Sequence, residues 1–172
     1  MMEKNENKIP DSLKPKLCLD KIPMEIRAMI EQVKWVDFET AYGNAEKTIP
    51  YYLENLFCTD ESTAMDATHQ LWCSLCHQHA YVSDASLPSY NILKLGLLRL
   101  NDDLKVEILD IFAGFAGCIR RNSTSNDLLS WEKQLQQNLL QDRNIFAELA
   151  ISDNETMRYF AGMICESLNL SE

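Results

Sequence analysis

The chain has 172 residues, of which 46% are apolar, 24% charged and 9% aromatic. That is long enough for one domain with a sizeable core, since a chain of about 150 residues buries roughly two-thirds of its unfolded surface. Only 5 glycines and 5 prolines occur and the formal net charge is −10, which together exclude a turn-rich all-β fold and disfavour nucleic-acid binding driven by phosphate neutralisation.

No apolar run approaches the roughly 18 residues a membrane span requires. Residues 1–20 form a polar segment interrupted by Pro10 and Pro15 and are expected to be a flexible N-terminal segment. With no apolar stretch behind Met1–Lys8 no secretory signal is expected. The six cysteines, Cys18, Cys58, Cys73, Cys76, Cys118 and Cys165, then read as reduced thiols of a cytoplasmic protein, most of them inside apolar helical stretches.

Pro23 opens a helix carrying Ile26, Met29, Ile30 and Val33 at helical spacing. Trp35, Phe38 and Tyr42 recur at intervals of three and four and predict a short helix ending near Gly43. Thr48 and Pro50 start the next, with Tyr52, Leu53, Leu56 and Phe57 as its stripe. Asp60 or Ser62 caps a helix through Ala64, Leu71 and Leu75. After a break from about His79 to Leu87, a helix reopens at Pro88 and runs to Leu100. Another follows from the Asn101–Asp103 turn and is expected to stop near Gly117. Beyond a polar loop at 122–127, helices are predicted over 128–140, 142–150 and 155–168. No segment alternates strictly, so the fold class is all-α.

Three helix pairs share a pattern. Leu56, Leu98 and Leu149 are each followed four residues later by Asp60, Asp102 and Asp153. Four residues beyond each aspartate stand Ala64, Val106 and Met157. Seven beyond stand Ala67, Leu109 and Phe160, and eleven beyond stand Leu71, Ala113 and Ile164. These positions share one helical face. Each unit is therefore a helix, a tight turn and a second helix, with the aspartate expected to cap the second helix. One such pair cannot bury both apolar edges, and stacking the next pair continues the core.

On this motif, and on the segments Ala41–Leu56 and Leu71–Leu98 with the His77–Gln78 pair and the loop reaching Pro88, the chain resembles small bacterial HEAT-like repeat proteins. The likeness covers residues 35–118 and, as a bare repeat, 142–168. It implies a HEAT-like α-α superhelix of stacked antiparallel helix pairs over 21–172. Arginine follows the capping aspartate at the HEAT spacing only as Arg158.

His69, Cys73, Cys76, His77 and His79 are of zinc-ligand type and include every histidine of the chain. They lie on one helix and its end, whereas structural zinc sites usually draw on separated elements, and the adjoining Leu71, Trp72 and Leu75 mark a core helix. No metal, cofactor or catalytic residue is expected. Arg120 and Arg121, with Lys105, could hold an anion, although paired arginines at a helix end more commonly complement its dipole.

The resemblance implies a non-catalytic protein-binding module of the kind that serves as an immunity or inhibitor protein, occluding a cognate toxin. The acidic charge suits a basic toxin domain as partner. No nucleic acid and no membrane is expected as a partner. Trp35 and Tyr42 are candidate aromatic anchors, and Glu61, Asp66, Asp103, Glu107 and Asp110 candidate charged contacts. Two other readings compete: a HEAT-like enzyme or cofactor-handling protein such as a lyase, and an assembly scaffold.

Overall fold

The computed structural model describes residues 22–125 and 127–169. The expected flexible segment at 1–20, with Cys18, lies outside them. Eight α-helices occur among the described residues: α1 Met24–Glu31, α2 Ile49–Asn55, α3 Glu61–Leu75, α4 Ser86–Arg99, α5 Asp102–Ser125, α6 Ser130–Gln141, α7 Arg143–Leu149 and α8 Glu155–Asn169. Among the described residues the fold is all-α apart from one hairpin of two-residue strands, β1 Glu39–Thr40 paired antiparallel with β2 Gly43–Asn44. No helix among the described residues is long and apolar enough to cross a membrane.

The helix predicted around Trp35, Phe38 and Tyr42 does not form. A single 3-10 turn spans Trp35–Asp37, and the chain then extends into the hairpin. Two features outweigh the aromatic spacing. Gly43 sits at φ +111, open to glycine and closed to most residues. Thr40 Oγ1 donates to the Gly43 carbonyl at 2.8 Å and accepts the Tyr42 N–H at 3.1 Å, closing the turn locally.

The hairpin has a structural task at the end of α3. The last carbonyls of a helix lack partners inside it. Here the Ser74 carbonyl accepts from the Ala41 N–H at 3.0 Å, and the Leu75 carbonyl accepts from the Ser83 N–H at 2.9 Å and the Ser86 hydroxyl at 3.0 Å.

Helix α5 is the longest, with 24 residues, and passes well beyond Gly117, where the sequence suggested a stop. Each interior glycine costs about 1 kcal/mol relative to alanine, but burial of Cys118 and Ile119 beyond Gly117 carries the helix through. α5 packs against α3, α4, α6 and α8, with its most extensive contact on α8. At its centre Phe112 is fully buried, with ring centroids 5.2 Å from Tyr90, 5.9 Å from Phe115 and 5.4 Å from Phe146. The α6–α7 junction is tied to α4 by Asp142, which accepts from Tyr90 Oη at 3.0 Å and Lys94 Nζ at 2.9 Å.

Three helices lie in a row, α3 on α5 and α5 on α8, with α2 packed on α3 and α7 on α8. Their capping differs from expectation. Asp60 accepts the Thr63 N–H at 2.9 Å as predicted. At α5 the cap is Asn101, which accepts the Leu104 N–H at 3.0 Å, and at α8 it is Asn154, which accepts the Met157 N–H at 3.0 Å. Asp102 lies inside the first turn of α5, and Asp153 precedes the cap of α8. Asparagine and aspartate offer the same side-chain carbonyl geometry at this position, so either neighbour could serve. The choice moves the apolar register: Leu104, Ile108 and Ile111 of α5 correspond to Met157, Ala161 and Ile164 of α8, all buried. Val106, assigned to the core by the aspartate register, is only half-buried and lines a groove.

Candidate functional site

The row α3–α5–α8 presents two grooves. The first, of about 510 Å³, crosses the N-terminal ends of all three helices. Glu61, Ser62 and Met65 of α3, Asp103, Val106 and Glu107 of α5, and Asn154 and Thr156 at the start of α8 line it. Three of the candidate charged contacts, Glu61, Asp103 and Glu107, therefore meet in one concave surface, although 42 positions separate the first two in the chain. Glu61 and Asp103 stand in first helical turns, where the positive helix end favours a carboxylate. Glu107 stands deeper: burial and the neighbouring Asp110 raise its carboxyl above the usual carboxylate range. An incoming cation would relieve that penalty.

The other candidates are placed differently. Asp66 is exposed on α3 outside the groove lining, and its charge acts on the Tyr52 hydroxyl of α2. Asp110 is engaged within the chain by His79. Tyr42 is 66% exposed at the hairpin turn, its ring edge 5.8 Å from His77. Trp35 is 5% exposed and donates from Nε1 to the Ile30 carbonyl at 2.9 Å. It closes the end of α1 inside the core, so it cannot serve as the exposed anchor expected of it.

Residues His69, Cys73 and Cys76 do not converge. Cys73 Sγ stands 3.7 Å from His69 Nε2. Cys76 is fully buried, and its thiol donates to the Trp72 carbonyl at 3.3 Å. Burial pushes the Cys76 thiol far above its ordinary range, which disfavours the thiolate. Among the described residues no group of three or more His, Cys, Asp and Glu side chains is placed to hold a metal ion.

Sequence reasoning missed the feature just beyond. His77, Gln78 and His79 lie consecutively in the left-handed region, with φ of 36, 55 and 61. Each such non-glycine residue costs about 1–2 kcal/mol, and tertiary contacts hold the last of them, His79. His79 Nε2 donates to Asp110 Oδ1 at 2.8 Å and lies 2.9 Å from the Asp110 carbonyl. Arg121 and the Cys118 thiol both donate to the His79 carbonyl. Gly114 lets the turn approach α5, because a Cβ there would stand 2.7 Å from Cys76 Sγ and 2.8 Å from His79 Cδ2. No local signal could announce this turn, since it contains no glycine and its partners are more than thirty positions away.

The Asp110 contact raises the His79 pKa from its ordinary value of 6.5, against opposing burial. A group whose pKa is higher folded than unfolded stabilises the fold below its unfolded value. That contribution disappears as pH rises from about 6.5 through the raised value. Urea unfolding across this window should show stability falling with pH through this group, and Asp110→Asn should flatten that part of the profile. An unchanged profile in the variant would assign the pH dependence elsewhere.

The second groove, of about 450 Å³, lies along the C-terminal halves of α5 and α8, next to His79. No protein-family model, curated protein or solved structure matches this chain.

Proposed function

We propose that this protein is a non-catalytic protein-binding module whose acidic groove across α3, α5 and α8 receives a cationic segment of a partner protein. The observation that carries the reading is the convergence of Glu61, Asp103 and Glu107 around Met65 and Val106 in one groove. Opposite charges steer a partner in, and the half-buried apolar side chains between them supply area that a desolvated contact can use. The net charge of −10 acts in the same direction at longer range. The row of second helices, α3 on α5 on α8, is the arrangement a HEAT-like superhelix would use to present such a surface. Within that reading, the resemblance to small bacterial HEAT-like proteins favours an inhibitor or immunity role against a basic toxin domain in the cytoplasm.

A deca-arginine peptide serves as the test probe. The triple variant Glu61→Gln, Asp103→Asn, Glu107→Gln should weaken its binding about tenfold at low salt, as expected when paired charges are lost from one surface. The control Glu31→Gln, Glu46→Gln, Glu148→Gln removes the same net charge from exposed positions outside the groove and should weaken binding about threefold or less. Equal losses in the two triples would reduce the effect to overall charge and overturn the groove as the binding surface.

A further inference from the structure

The second groove has the opposite chemistry. Arg120, Arg121 and His79 line it, with Ala113, Gly117 and Met163 as its apolar part and Glu166 at its rim. In a chain with 26 acidic and 16 basic residues, two adjacent arginines in one concavity need a physical reason.

Capping of the end of α5 does not supply one. The Arg120 carbonyl accepts from the Ser123 hydroxyl at 2.7 Å, and the Arg121 carbonyl accepts from Thr124 at 2.8 Å and Ser125 at 3.0 Å. These hydroxyls only bond back within the helix, and the last turn of α5 contains no basic residue, so neither guanidinium belongs to its end. The Arg121 guanidinium instead reaches back to the His79 carbonyl and to Cys118 Sγ, the latter at 3.1 Å. Both partners are uncharged, so they set its position without forming an ion pair. Arg120 forms no ion pair with any described residue. Gly117 keeps the floor clear: a Cβ there would meet only Arg121 Nη1, at 3.6 Å. The strained His77–His79 turn is what brings the His79 carbonyl to Arg121, and strain of this kind persists where the surrounding structure over-determines it, commonly at ligand sites.

We propose that this groove binds the phosphoryl group of a small soluble phosphate ester, with Arg120 and Arg121 as the anion-holding pair and Met163 beside the organic part. Guanidinium forks match phosphate oxygens bidentately. Two guanidinium charges against the single carboxylate of Glu166 favour a dianion over a monovalent carboxylate. The concave shape and the acidic remainder of the surface favour a free ligand over a phospholipid headgroup in an anionic membrane. The site is independent of the acidic groove at the other end of the same helices.

Phenyl phosphate, inorganic phosphate and acetate are the probes, titrated against the full chain by calorimetry and by amide chemical shifts. Phenyl phosphate should saturate with shifts centred on Gly117, Arg120 and Arg121, and acetate should bind more weakly by about tenfold. Arg120→Gln should weaken phenyl phosphate about tenfold or more, Arg120→Lys less, and Glu166→Gln should strengthen it by removing the nearby negative charge. Arg120 has no internal partner among the described residues, so its substitution leaves the fold intact, which the thermal midpoint checks. Phosphate binding that ignores Arg120→Gln, equal affinity for acetate and phenyl phosphate, or Arg120-dependent binding only to phosphatidic acid vesicles would overturn the proposal.

Discussion

Truncation of Phe112 to alanine is expected to destabilise the protein by about 3–5 kcal/mol, the range for a fully buried phenyl ring removed from a packed core. Phe112 is where the layers meet: its ring touches Tyr90 of α4, Phe115 of its own helix and Phe146 of α7. Its loss removes the ring's own burial and leaves three aromatic neighbours facing a cavity. Equilibrium urea unfolding checks the value. A loss below about 1.5 kcal/mol would mean that the surrounding rings collapse into the space, and that the aromatic cluster is less constrained than its edge-to-face geometry indicates.

A single added methyl group at Gly114 is expected to cost about 2 kcal/mol or more, at the upper end of overpacking penalties. The Cβ of Gly114→Ala would lie 2.7 Å from Cys76 Sγ, 2.8 Å from His79 Cδ2 and 2.9 Å from Cys76 Cβ. None of these is the free end of a long side chain. Cys76 is fully buried, and His79 is pinned by Asp110 and Arg121. Gly162→Ala in α8 is the internal comparison, because a Cβ there meets nothing within 4 Å. That change should be neutral or stabilise by up to about 1 kcal/mol through helix propensity. If both variants lost stability equally, the close approach of the left-handed turn to α5 would be wrong.

The two glycines show how far local pattern reading reaches. Both sit in helices and read as mild helix breakers, yet one is an obligatory contact point and the other is a spare position. The difference lies in what crosses above them, and that partner is distant in the chain. Gly117 illustrates the same limit, since helix propensity suggested a stop while packing of Cys118 and Ile119 continued the helix. In the opposite direction, the spacing of Trp35, Phe38 and Tyr42 suggested a helix, where Gly43 and Thr40 closed a hairpin.

The candidate groove was partly legible. Glu61, Asp103 and Glu107 were candidates as acidic residues near the inter-helix turns or on second helices; Glu61 and Asp103 each directly follow an aspartate of the pattern, whereas Glu107 lies four positions further along α5. Asp110 and Trp35 had the right residue types and were drawn into internal contacts with His79 and the Ile30 carbonyl. Arg120 and Arg121 were visible as a pair, but their standing short of the last turn depended on how far α5 runs past Gly117.

Apolar periodicity and capping residues were sufficient for an all-α chain of paired helices, because they express constraints acting within one or two turns of backbone. The left-handed His77–His79 turn and the separation of an acidic from a basic groove were set by contacts between helices. Those contacts join residues thirty or more positions apart, and their free energy is large enough to override the weak conformational preferences that a linear reading can detect.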